Sequence, residues 1–302
     1  MEGSLETARA PRRPLLHRFA ERVGRVEALD PPARALLGLA DKLIKPGPAR
    51  DALSGTFLGH ALHPLMTDLP IGSWTSAVLL DNFGGRESEL AARRLIGLGI
   101  LASVPTAASG YVEWADSAGG RAATRRVGLA HAASNVTALS LFTASYVARH
   151  QGRRAKGRAL ALAGSSALAV GGHLGGHLSY VHGEGVAVTT FEEGSPDWVE
   201  ALPERALSDG SPACVLVGRV PVLLVREGSE VHALANRCTH RGGPLHEGEV
   251  ADGRVTCPWH GSEFDLRTGS VERGPASSPQ PAYEARSRNG TIEVRQVTDP
   301  TP

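Results

Sequence analysis

Cysteine is nearly absent from this chain: three in 302 residues, Cys214, Cys238 and Cys257. Cys238 and Cys257 each sit beside a histidine, so no disulfide framework is expected. Cys214 lies alone in a strand-like run and is read as a buried free thiol. No cleaved secretory peptide is expected either, because Arg12-Arg13 is not followed by the apolar core of an export signal. The net charge is only +1, yet it is unevenly spread: residues 1–50 hold 10 Lys and Arg against 6 Asp and Glu, and residues from Glu184 onward hold 11 against 18. Between those ends lie long apolar stretches, the last two of them without internal charge.

What is present is a pair of short clusters, Cys238-Thr239-His240 and Cys257-Pro258-Trp259-His260, separated by residues 241–256. Two thiolates and two imidazoles also suit tetrahedral zinc, but zinc fingers place the cysteines together and the histidines together. Alternation of one Cys and one His in each cluster is instead the ligand set of a 2Fe-2S centre with one Cys-bound and one His-bound iron, whose potential lies above that of an all-cysteine ferredoxin. With Arg241-Gly242-Gly243-Pro244-Leu245 after the first pair and Gly261-Ser262 after the second, the segment resembles the Rieske family. The resemblance implies that Cys238, His240, Cys257 and His260 bind the metal and that the imidazole edges lie near the surface as the electron exit.

The departures from that family are informative. Rieske proteins of the respiratory quinol complexes, which this segment resembles, carry an extra cysteine in each loop, where this chain has Gly243 and Trp259. Ser262 stands where the family places a potential-raising hydroxyl, whereas Phe264 replaces a tyrosine. Fewer hydrogen bonds to the sulfurs favour an intermediate potential, closer to ferredoxins that feed oxygenases. The catalytic chain of a Rieske oxygenase is not expected. The stretch after Phe264 is short for a mononuclear iron domain, and no 2-His-1-carboxylate set is evident.

Alternating runs predict short strands at Ala213 to Val217, Val220 to Val225, Val231 to Ala235, Arg254 to Cys257, Glu263 to Leu266, Ala282 to Ser287 and Thr291 to Val294. Upstream, Pro64 to Phe83, Ala92 to Trp114, Gly128 to Ala148 and Ala159 to Val181 each approach the roughly 20 residues that cross a hydrocarbon core. Arginines bracket them, and the small-xxx-small pairs Gly171/Gly175 and Gly172/Gly176 permit close helix contact. A soluble helical bundle is the plainer alternative. The expected architecture is membrane α plus all-β: a four-transmembrane-helix antiparallel bundle, then a Rieske-type iron-sulfur domain. Its divisions are 1–50, a basic region with an amphipathic helix over Pro32 to Lys45; 51–183, the membrane domain; 184–196, a flexible tether; 197–296, the cluster domain; and 297–302, a tail.

Residues 57–186 also resemble a bacterial membrane family known as domain of unknown function 2231. Leu62-His63-Pro64-Leu65, Leu69-Pro70-Ile71-Gly72, the His131 segment and Gly175-Gly176-His177-Leu178-Ser179-Tyr180 carry the likeness. Four crossings place the start of the first and third helices and the end of the second and fourth on one face, the face from which the cluster domain hangs. His60, His63, Asp68, Tyr111, Glu113, Asp116, His131, Asn135, His173 and His177 all fall there. Ionisable groups at membrane depth are costly and commonly functional or paired. The expected ligands of a haem b or a quinone are His63, His131 and His177, then His173 and His60. His173 and His177, four apart, share a helix face and are expected to point into the bundle.

Local arginine counting would put the cluster domain outside the cell. The basic N-terminus without an export signal and the missing loop cysteines favour the cytoplasm, and that orientation is adopted. The expected protein is therefore a multi-pass component of a bacterial cell membrane and an oxidoreductase-type electron carrier. Its partners are a redox protein with a basic docking face or a quinone, not nucleic acid, and homo-oligomers are compatible with it. A redox-sensing or docking module without sustained turnover is the alternative.

Overall fold

The computed structural model describes residues 13–117 and 120–297; Arg12 and residues 298–302 of the expected tail lie outside the described residues. Three short helices, α1 (Leu15–Gly24), α2 (Asp30–Leu43) and α3 (Pro48–Ser54), precede four long ones, α4 (Leu62–Phe83), α5 (Glu89–Asp116), α6 (Ala122–His150) and α7 (Arg154–Tyr180). α5 and α6 extend beyond their apolar stretches at both ends and α4 and α7 at their N-terminal ends, because the polar flanks also hold helical geometry. Of the four, α5 and α7 are long and apolar enough to cross a membrane. α4 contains Asp68 and Asp81, and α6 contains Arg125, Arg126 and Arg149, which reduces their apolar character.

α4 packs on α5 and α6 on α7, and the two hairpins meet around Trp74, whose indole stacks on Phe142 at 4.3 Å between centroids. The indole fits because α5 offers Gly99: a Cβ there would be 2.3 Å from Trp74 Nε1. Pro70 lies inside α4 and has no N–H for the carbonyl of Met66. The Thr106 hydroxyl of α5 lies 3.0 Å from that carbonyl and replaces the missing donor. At α6–α7, a Cβ on Gly171 would be 2.5 Å from Asn135 Oδ1 and one on Gly175 would be 2.9 Å from the His131 ring. The other small pair, Gly172 and Gly176, does not form a helix contact: a Cβ on Gly172 would meet nothing within 4 Å and one on Gly176 only Tyr180 of the same helix.

α2 covers the expected amphipathic segment and packs on α5 and α6, where Tyr111 donates to the carbonyl of Leu36 at 2.5 Å. α1 lies across α6 and α7.

Ten strands follow: β1 (Val199–Pro203), β2 (Ala213–Val217), β3 (Val220–Glu227), β4 (Glu230–Ala235), β5 (Glu249–Ala251), β6 (Arg254–Thr256), β7 (Glu263–Asp265), β8 (Val271–Arg273), β9 (Ala282–Arg288) and β10 (Thr291–Gln296). They form a six-stranded antiparallel sheet, β1-β10-β9-β4-β3-β2, and a four-stranded one, β5-β6-β7-β8. Cys214 is exposed rather than buried. It sits on edge strand β2, where Ala213, Val215 and Val217 face the core and the period of two turns Cys214 outward.

Candidate metal centre at the domain interface

The two cluster-bearing loops join β4 to β5 and β6 to β7, and they share one backbone geometry. In the first, the N–H of Cys238 donates to the carbonyl of Gly243 at 2.9 Å and the Cys238 carbonyl accepts from Gly242 at 2.8 Å. In the second, the N–H of Cys257 donates to Ser262 at 2.8 Å and the Cys257 carbonyl accepts from Gly261 at 3.0 Å. Each turn needs a left-handed residue four positions after its cysteine, and Gly242 (φ 79°) and Gly261 (φ 77°) supply it. That shared Cys-x-x-x-Gly spacing is legible in the sequence once the turn geometry is known.

At the loop tips the candidate ligands come together in two pairs, Cys238 with Cys257 and His240 with His260, and among the described residues no three of them surround a single metal position. Cys238 and Cys257 are buried, and the rings of His240 and His260 lie 5.0 Å apart, nearly perpendicular. The Cys238–Cys257 hydrogen bond pulls the Cys257 thiol down to about 7 and pushes Cys238 up. Burial, with Arg241 and His260 adding to it, holds the His240 imidazole well below its ordinary value; burial does the same to His260. Both rings are thereby biased toward the neutral form that a metal binds. His240 Nδ1 is buried without a partner while its Nε2 faces Asp116, which leaves the lone pair a metal requires. The donor set fits a mixed sulfur–nitrogen iron centre.

Of the supporting residues, Gln280 carried no sequence signal, whereas Ser262 and Phe264 stood out against the family pattern. Gln280, 2% exposed, donates through Nε2 to the carbonyls of Ala235 (2.6 Å) and Arg237 (2.5 Å), and its Oε1 accepts from the N–H of Thr239 at 3.1 Å. Ser262 Oγ accepts from the N–H of Ala276 at 2.9 Å, leaving its own proton free for the site. Phe264 is fully buried beneath the loops.

The imidazole tip does not face open solvent; the helical region covers it. Arg50 of α3 donates to the His260 carbonyl at 3.1 Å and to Asp116 Oδ1 at 2.6 Å. Asp116 Oδ2 lies 3.4 Å from His240 Nε2, and the Asp116 backbone carbonyl reaches the His260 ring. Arg241 donates to the carbonyl of Glu113 at 3.3 Å and pairs with Glu184, which also accepts from Ser117 at 2.8 Å. The segment expected as a flexible tether is thus fixed by Glu184 at one end and by the 3.2 Å Glu192–Arg237 pair at the other. A cavity of about 230 Å³ opens between the two parts, bordered by His60, Glu113, Asp116, His240, Arg241 and Ser278.

The five histidines expected in one membrane site are not brought together. His63 and His131 face each other across the hairpins with ring centroids 6.4 Å apart. His63 Nδ1 bonds the Thr106 carbonyl at 2.9 Å; His131 Nδ1 bonds the Gly171 carbonyl at 2.8 Å, and its Nε2 lies 3.1 Å from the Asn135 amide nitrogen. His177 and His173 turn instead toward α1. His177 packs against His17 (5.1 Å) and His182 (5.0 Å), and His173 Nε2 bonds the Leu16 carbonyl at 3.0 Å. The expected inward aim of that pair fails because α1 covers their face of α7. His60 is exposed, at the mouth of the cavity.

Residues 197–284 match the Rieske 2Fe-2S domain family, and the chain belongs to it. More particularly, it is a fusion, because residues 59–188 match a second family described as predicted membrane protein, DUF2231. The chain is similar to the ferredoxin subunit of anthranilate 1,2-dioxygenase from Burkholderia cepacia, with 36% identity over 87 residues, 29% of this chain and 81% of that one. It is also similar to apoptosis-inducing factor 3 of Mus musculus, with 35% identity over 91 residues, 30% of this chain. The chain spans about 15% of the length of that relative. Among solved structures, the ferredoxin of carbazole 1,9a-dioxygenase from Nocardioides aromaticivorans IC177 shares 30% identity, covering 32% of this chain and 95% of that chain, with a TM-score of 0.31. A Rieske domain implies a 2Fe-2S cluster, and the C-terminal lobe is that of a Rieske electron carrier.

Proposed function

We propose that this protein is a membrane-anchored carrier of single electrons, with Cys238 and Cys257 holding one iron of the cluster and His240 and His260 the other. The carrying observation is that these side chains meet as a cysteine pair and a histidine pair on loops of matched geometry. When bound, the cluster supplies a one-electron couple, and the protein's residues orient it. The imidazole edges point into the helical region, so that region is the near redox neighbour.

Anchoring by four crossings, α4 to α7, is supported by the outward-facing Leu65, Leu79, Phe83, Leu101, Val104 and Val136, all at least half exposed. A bacterial cell membrane with the cluster on the cytoplasmic side remains our assignment. A quinone head group suits the second redox partner better than haem b, because both His131 nitrogens are already bonded and His177 lies apart. The interface cavity joins His240 to Glu113, whose buried Oε1 has no partner, and so offers a hydroxyl-bearing ring both an acceptor and an electron outlet. A soluble redox partner would reach the cluster only after Arg50 and Arg241 release it. That same latch favours the sensing alternative, in which the helical region reads the state of the cluster without sustained turnover.

The test is a visible and electron paramagnetic resonance spectrum of the detergent-solubilised full chain, followed by addition of a short-chain quinol. We expect a mixed-ligand 2Fe-2S signal, reduced by the quinol, with His240→Cys keeping a cluster at a lower potential. Colourless protein containing zinc would overturn the electron-carrier reading; a cluster that no quinol reduces would remove the quinone.

A further inference from the structure

We propose that Asp116 and Arg50, both belonging to the helical region, set the reduction potential of the cluster from across the domain interface as an opposed pair of charges. The inference rests on the ligand assignment above and concerns which residues tune that centre.

Both side chains are buried where a charge is felt strongly, Arg50 at 9% and Asp116 at 7% exposure. They pair with each other at 2.6 Å, and each also contacts a different ligand: the Asp116 carboxylate lies 3.4 Å from His240 Nε2, while the Arg50 guanidinium bonds the His260 backbone at 3.1 Å. Arg241, the other nearby cation, is balanced by Glu184. The oxidised cluster carries one more positive charge than the reduced one. An anion beside its imidazole therefore favours oxidation and lowers the potential, and a cation beside its backbone raises it. Neither residue is among the candidate ligands, and each contacts one of them, so both are positioning residues that act through His240 and His260.

The pair makes the inference separable from a docking role. Breaking the ion pair from either side loosens the interface in the same way, so a purely structural effect moves the potential in the same direction for both variants. An electrostatic effect moves it in opposite directions. The experiment is a redox titration of the full chain in detergent, followed by the electron paramagnetic resonance of the reduced cluster. Asp116→Asn should favour the reduced form by roughly tenfold at the wild-type midpoint, a rise of about 59 mV for a one-electron couple. Arg50→Gln should lower the potential, and Asp116→Glu should restore it toward the wild-type value. Shifts of the same sign, or an unmoved potential with the cluster loaded, overturn the inference. Should Arg50→Gln fail to hold a cluster, Asp116→Asn and Asp116→Glu decide the matter: equal shifts overturn it, and recovery by glutamate supports it. Absence of any cluster in the wild-type chain would instead sink the ligand assignment on which it stands.

Discussion

Gly243 lies directly against Cys257: a Cβ built on the glycine would stand 2.7 Å from the sulfur and 3.1 Å from Cγ of Trp259. The two loops touch at this point, so a methyl group there must push a ligand aside. Gly243→Ala is expected to cost about 1–3 kcal/mol of local strain and to reduce iron incorporation while the β-sheets still form. Iron and sulfide assays alongside circular dichroism check this; full loading of the alanine variant would show that the loop has slack.

Gln280 ties the first loop to the sheet through three bonds to backbone groups of Ala235, Arg237 and Thr239. Gln280→Leu keeps the bulk but strands buried polar groups that cost about 1–3 kcal/mol each. The expected result is a denaturation midpoint, followed by cluster bleaching, well below that of the wild type. Gln280→Glu should be worse, since it adds a buried negative charge that repels the two carbonyl oxygens it can no longer donate to. An unchanged midpoint in both would mean that the loop is held by its turn hydrogen bonds alone.

The sequence disclosed those features of the fold that leave a local pattern. Alternation located seven strands, and Cys-x-His with Cys-x-x-His pointed to the candidate metal centre. It missed β1, which is placed by pairing with distant β10, and β5 and β8, three-residue strands too short to show alternation although each pairs with a neighbour in the chain. Helix-face reasoning placed His173 and His177 together, as they are, but could not foresee that α1 would claim that face through His17 and the Leu16 carbonyl. Asp116 and Arg50 lay 66 positions apart with nothing in the chain to join them, and only the docking of the cluster loops reveals their partnership.

Asp30 anchors α2 to α6 through Arg126, which donates to both carboxylate oxygens, at 2.9 and 2.6 Å. The Arg126 hydrogen bond, with Arg125 assisting, holds the carboxyl down from 3.8 to about 2. A depressed folded value means that the contribution is complete above the ordinary carboxylate range and is lost as pH falls through about 2. Hydrogen exchange of residues 30–43 should therefore stay slow at pH 5 and rise as pH approaches 2, ahead of the long helices. Asp30→Asn at neutral pH should reproduce the acid behaviour. If exchange in α2 is insensitive to both, apolar packing and the Tyr111 bond hold it instead.

At the end of the helical region away from the cluster, Arg149 of α6 pairs with Asp81 of α4, the side chains 1% and 3% exposed. The guanidinium binds both carboxylate oxygens, with one contact at 2.8 Å, and its Nε donates to Ser145 at 3.2 Å. Deleting one partner leaves a buried charge alone, so Arg149→Met is expected to destabilise the helices by about 3–5 kcal/mol. The double variant Asp81→Leu with Arg149→Met removes both charges and should recover most of that loss, because the desolvation cost of the ion pair disappears with it. Thermal unfolding in detergent measures the cycle. The cluster spectrum, read at the opposite end of the bundle, should stay unchanged in every folded variant. A double variant no better than the single one would show that the pair fixes helix register, a role that apolar side chains of similar size do not fill.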